Sequence, residues 1–133
     1  MSGMPSPAKL EGRLREALTS ILEPGEELQA WTIAAISRNM GTAFTFGGAA
    51  GLAGQIWTYV ALTNRRVIFV HANSFWKPQE EWVADPADAV HLEVGESAMF
   101  TKAVYRRDDG TEVPLQVQKK WRKQLEEIAT ALR

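Results

Sequence analysis

Ile56-Trp57-Thr58-Tyr59-Val60-Ala61-Leu62-Thr63-Asn64-Arg65-Arg66-Val67-Ile68-Phe69-Val70-His71 is the stretch on which the fold turns. In its first half Ile56, Thr58, Val60 and Leu62 alternate with Trp57, Tyr59, Ala61 and Thr63, the period of a strand. Its second half, from Arg66, is rich in β-branched residues, as strands are. The polar pair Asn64-Arg65 interrupts the two, so the stretch predicts a β-hairpin, although the favoured Asn-Gly turn is absent.

Outward from this hairpin the same reasoning yields more strands. Upstream, Leu28, Ala30, Thr32, Ala34 and Ile36 alternate with Gln29, Trp31, Ile33 and Ala35, and the apolar members of both sets imply that both faces are partly covered. Downstream, short strands are expected over Gln79–Val83, Ala89–Val94, Ala98–Arg107 and Thr111–Val117. Asp85-Pro86-Ala87-Asp88 and Asp108-Asp109-Gly110 supply turns, the second being the stronger because glycine accepts a positive φ. A helix is predicted at each end of the chain. Leu10, Leu14, Ala17, Leu18 and Ile21 share a face in Pro7–Leu22, which Pro24-Gly25 stops. From Gln118 onward Trp121, Leu125, Ile128, Ala129 and Leu132 share another. Seven antiparallel strands bracketed by two helices indicate a mainly β protein, a barrel or sandwich capped by the C-terminal helix, with an extra N-terminal helix. Residues 1–22 read as a tail and amphipathic helix, and residues 23–133 as one domain.

Composition limits the chemistry. The 133 residues carry 15 Lys+Arg against 16 Asp+Glu, two His and no Cys. Without Cys there is no disulfide framework, thiolate metal site or cysteine nucleophile. A net charge of -1 offers no global attraction for nucleic acid or anionic lipid, so a lipid contact needs a local patch. No cofactor is indicated: His71 and His91 form neither HxH nor HExxH spacing. The N-terminus lacks a basic region followed by an apolar one, so a cytoplasmic location is expected.

The charges are unevenly spread. From Asn39 to Asn64 there are 26 consecutive uncharged residues. A membrane span of that length is conceivable, but Gly41, Gly47, Gly48, Gly51 and Gly54, with Thr42, Thr45, Gln55 and Thr58, dilute its apolar content. Asn39–Gly54 therefore reads as a long loop, and Ile56–Thr63 as the strand already described. Gly47-Gly48-Ala49-Ala50-Gly51 lacks the Gly-Lys-Ser/Thr ending of a phosphate loop.

Leu22-Glu23-Pro24-Gly25-Glu26-Glu27, together with Val60–Val70 and its Leu-Thr-x-x-Arg core followed by apolar residues, resembles the bacterial pleckstrin-homology-like (PH-like) domains, relatives of the PH and GRAM folds. The closing helix with Trp121 near its start is similar to that family's layout. The resemblance implies a non-enzymatic module that binds lipid headgroups, peptides or copies of itself. It also places Asn39–Gly54 between the first two strands, where many PH domains carry several Lys and Arg. Here only Arg38 stands at the edge, which argues against recognition of inositol phosphates.

Three surfaces are candidates for binding. Arg38, Phe44, Phe46 and Leu52 make an apolar interaction loop, which either meets a bilayer or subunit or folds back over the core. Lys119, Lys120, Arg122 and Lys123 form a basic patch at the start of the last helix, for anionic lipid or an acidic partner, or else a solvated face with a Lys123–Glu127 pair. Phe75-Trp76-Lys77 offers an aromatic–basic anchor, with Trp76 partly exposed. The expected function is protein–protein contact or self-association, in which the uncharged loop and N-terminal helix bury apolar surface between subunits. The alternative is peripheral binding to anionic lipid at the inner face of the membrane. Catalysis and nucleic-acid binding are not expected.

Overall fold

The structure, a computed structural model, describes residues 5–37, 55–73, 75–96 and 100–132. Its elements run α1 (Pro7–Leu18), β1 (Leu28–Ser37), β2 (Gln55–Thr63), β3 (Arg66–Ala72), β4 (Pro78–Pro86), β5 (Val90–Glu96), β6 (Phe100–Arg107), β7 (Glu112–Gln118) and α2 (Arg122–Ala131). Single 3-10 turns at Ala87–Ala89 and Lys119–Trp121 precede β5 and α2. All seven strands form one antiparallel sheet in the order β4-β3-β2-β1-β7-β6-β5. The expected mainly β fold with a helix at each end is what the chain adopts.

The sheet folds over at β1. β1 and β2 pair along almost their whole length, whereas β1 meets β7 through Ala35↔Gln116 and Ile36↔Leu115. Below that contact the β5–β7 layer diverges from β1, and α2 packs against β1 and β5. Leu125, Ile128, Ala129 and Leu132 on its apolar stripe are buried, and Trp121 lies 5.3 Å from Trp31, ring centre to ring centre. The facing layers meet where Phe69 packs edge-on against Tyr105, and the Tyr105 hydroxyl donates to Asp85 at 2.8 Å. Arg107 reaches the same carboxylate at 3.0 Å, tying β4 to β6.

Register explains why β2 and β3 are buried on both sides. Thr58, Val60 and Leu62 share a face with Val67 and Phe69, which look into the fold. Tyr59 and Ala61 share the opposite face with Ile68 and Val70. That outer face is where α1 lies. Ser6 caps the helix by accepting from the Lys9 amide, Pro7 starts it, and Leu10, Leu14 and Leu18 fall four apart on one stripe. All three are at most 1% exposed. Glu11 accepts from the Trp31 indole, and Arg13 donates to the Phe75 carbonyl.

This corrects one expectation. The helix ends at Leu18 rather than Leu22. Leu10, Leu14 and Leu18 of its apolar stripe are also buried in the chain's own core, which leaves Ala17 and Ile21 partly exposed. Asp108-Asp109-Gly110 does form the β6–β7 turn, with Gly110 at φ 90° and its amide bonded to the Arg107 carbonyl.

Candidate functional site

The hairpin that decides the fold carries Arg65 and Arg66, and the structure assigns Arg66 a structural task. Asn64-Arg65 is the turn between β2 and β3. Arg66 donates to both oxygens of Glu26, at 2.9 Å from Nε and 2.6 Å from the terminal nitrogen, and also to the Ile21 carbonyl. The Thr63 hydroxyl donates to Glu26 at 2.6 Å while accepting from the Arg65 and Arg66 amides. Asn64 exchanges bonds with Glu27 and donates to the Gly25 carbonyl. The Glu26 side chain has no exposed surface. Its pairing with Arg66 outweighs burial and holds its pKa down to about 2.

The other candidates are scattered. Arg38, Phe44, Phe46 and Leu52 lie outside the described residues. Lys119 and Lys120 are exposed on the 3-10 turn before α2, not within the helix as expected, while Arg122 and Lys123 open it. The ion pair formed there is Arg122–Glu126 at 2.8 Å, in place of the expected Lys123–Glu127 pair. His71 faces Glu81 at 2.9 Å. Among the described residues, no three His, Asp or Glu lie close enough to hold a metal, and no helix is long and apolar enough to cross a membrane.

The β3–β4 loop departs from expectation. Trp76 is buried, 8% exposed, whereas Phe75 is 72% exposed. Trp76 adopts φ 61°, a left-handed conformation that a bulky residue rarely takes and that costs about 1–3 kcal/mol. The surroundings enforce it. Its ring packs on Trp57 and Tyr59, and its carbonyl accepts from the Tyr59 hydroxyl at 2.6 Å. Burial raises the Tyr59 pKa to about 12, so that hydroxyl stays a donor. Asn73 accepts from the Phe75 and Lys77 amides, closing the loop. Tucking Trp76 in turns Phe75 out.

Sequence reasoning did not find a groove of about 1100 Å³ between β5, β6 and α2. Leu92, Val94, Ala103, Ala129 and Leu132 supply its apolar lining, and His91, Lys102 and Glu126 line it as well. It exists because β5 is the last strand of the sheet and α2 lies beside it. The two sheet edges differ. β4 carries Pro78, Pro86 and a register shift between Val70 and Ala72, all features that spoil a pairing edge. β5 has no proline, and its pairing to β6 is unbroken from Val90↔Arg107 to Glu96↔Thr101.

No protein-family model matches the chain, and no curated protein matches it. Among solved structures it is similar to the C-terminal domain of an unknown protein from Leishmania infantum, with TM-score 0.58 and 11% identity over 92% of this chain and 97% of that one. It is also similar to the hSac2 domain from human phosphoinositide phosphatase Sac2, with TM-score 0.54 and 12% identity over 96% and 82%. At such identities the likeness shows the fold alone.

The Glu26 pairing sets an acid limit on stability. A folded pKa near 2 against the usual 4.5 means that its contribution is complete above about pH 4.5 and is lost as pH falls through 2. Between pH 5 and 2 the wild type is expected to lose more unfolding free energy than Glu26→Gln, measured by urea denaturation at each pH. Parallel profiles would show that Glu26 titrates normally.

Proposed function

We propose that this chain is a PH-like protein-interaction module, binding rather than catalytic, and that its partner adds an extended segment to β5 in the groove beside α2. The observation that carries this is the contrast between the two sheet edges. β4 is blunted, while β5 presents an unbroken, proline-free edge next to a cleft lined by both apolar and charged side chains. An added strand needs free backbone donors and acceptors about 4.8 Å away, and pockets for alternate side chains. Among the described residues β5 has no strand on its outer side, and the groove lined by Ala129, Thr130 and Leu132 at the end of α2 offers room for side chains.

Peptides selected from a random display library against the whole chain test this. Their binding is expected to shift the amide resonances of Val90–Gly95 and Ala129–Leu132. Thr130→Trp, at an exposed position lining the groove, should weaken them about tenfold or more. Failure to select any peptide, shifts confined to another face, or unchanged binding by Thr130→Trp would contradict the proposal.

A second reading, peripheral attachment to an anionic bilayer, is favoured by Phe75. Its ring is exposed beside amides that bond Asn73, with the exposed Lys77 two residues on. Trp57, 39% exposed, packs at a tilt against Trp76. Gln118 lines the same hollow as Trp57 and Trp76, which sets Lys119 and Lys120 close by along the chain. One structural neighbour, the hSac2 domain, comes from a human phosphoinositide phosphatase and is like this chain in fold. Co-sedimentation with vesicles containing phosphatidylserine is expected to fall about tenfold or more for Phe75→Ala, the loss of one buried aromatic ring. No binding by the wild type, or equal binding by the variant, would remove this reading.

A further inference from the structure

We infer that β5 also pairs with β5 of a second copy of this chain, antiparallel, about a two-fold axis passing through Leu92. The inference rests on the reading of β5 as the strand-accepting edge and adds the identity of one occupant.

The register to β6 fixes which way the β5 side chains point. Leu92 opposes Tyr105 and Val94 opposes Ala103, both buried, so Val90, Leu92 and Val94 take the inner face. His91, opposite Arg106, and Glu93, opposite Val104, take the outer face. Glu93 is held there by an ion pair with Arg106, whose guanidinium also binds Glu112 at 2.6 Å.

Directly opposed residues in an antiparallel pair point to the same side of the sheet. Two copies can therefore extend one sheet only when inner residues meet inner residues, which requires the two-fold axis to pass through a residue rather than between residues. Within β5 this leaves few registers, and the chemistry of the opposed residues separates them: an axis through Val90 pairs only the strand end, and one through Val94 sets apolar Leu92 against Glu96. An axis through Glu93 sets that carboxylate against its own copy, and an axis through His91 sets the two imidazoles together. An axis through Leu92 sets His91 opposite Glu93 of the second copy and Glu93 opposite His91, while Val90 meets Val94 inside.

Opposite-charge and hydrogen-bonding cross-strand pairs stabilise, and like charges directly opposed destabilise. The imidazole can donate a hydrogen bond to the carboxylate in either protonation state. The β5 edges of both copies are then covered by a self-complementary contact, the type that closes rather than polymerises.

Sedimentation equilibrium of the whole chain tests the inference by charge exchange. The wild type is expected to show a concentration-dependent monomer–dimer equilibrium. His91→Glu sets like charges together at both symmetric positions and should weaken the dimer about tenfold or more. The double variant His91→Glu/Glu93→Lys restores opposite charges in the same register and should recover association, although its new lysine still lies beside Arg106. A monomeric wild type, an unchanged His91→Glu dimer, or a double variant no tighter than the single would overturn the inference.

The two proposals fail separately. A monomeric wild type whose β5 amides still shift with selected peptides leaves the groove as a peptide site and removes self-pairing. A charge-dependent dimer that no peptide reaches at β5 retains self-pairing and removes the peptide reading.

Discussion

The buried carboxylate of Glu26 joins three parts of the chain that would otherwise be independent. It lies just before β1, accepts from Thr63 at the end of β2 and from Arg66 at the start of β3, and Arg66 also holds the Ile21 carbonyl just after α1. The exit of α1, the entry of β1 and the β2–β3 turn therefore converge on one ion pair. Removing one partner of such a buried pair costs about 3–5 kcal/mol, because the other is left desolvated and unmatched. The position of α1 follows from this junction. α1 in turn seals the outer face of β2 and β3 and, through Arg13, fixes the loop that displays Phe75.

What could be read from the sequence was what local chemistry controls. The β2–β3 and β6–β7 hairpins follow from strand periodicity and turn residues, and Trp121 and α2 follow from a change of period to the helical one. Glu26 and Thr63–Arg66 were visible as parts of one signature, but nothing in the spacing of 37 residues between Glu26 and Thr63 says that they touch. The left-handed Trp76 was hidden for a similar reason. Its conformation is imposed by Tyr59 and Trp57 from another strand, not by its own neighbours in sequence.

The groove was the least legible feature. Its existence depends on the strand order, in which β1 pairs with β7 and β5 comes last, with α2 alongside. Strand order is set by long-range pairing, to which a period of two is blind. Pro78 and Pro86 fell outside the expected strand Gln79–Val83, so the blunting of the β4 edge, where each removes a backbone donor, went unread. The blunted β4 edge and the unbroken, proline-free β5 edge give the sheet two unlike sides. The exposed lysines and Phe75 belong to a different part of the surface, which is why a protein partner and a bilayer are separate readings of one fold.

The central claim is that Glu26 and Arg66 act as a single structural cross-link. The direct measurement is a double-mutant cycle of urea unfolding at pH 7 with wild type, Glu26→Gln, Arg66→Met and the double variant. A cross-link predicts that each single variant is strongly destabilised and that the double variant is destabilised less than their sum, with a coupling of about 1–3 kcal/mol. Additivity within about 0.5 kcal/mol would show two independent residues and would contradict the account.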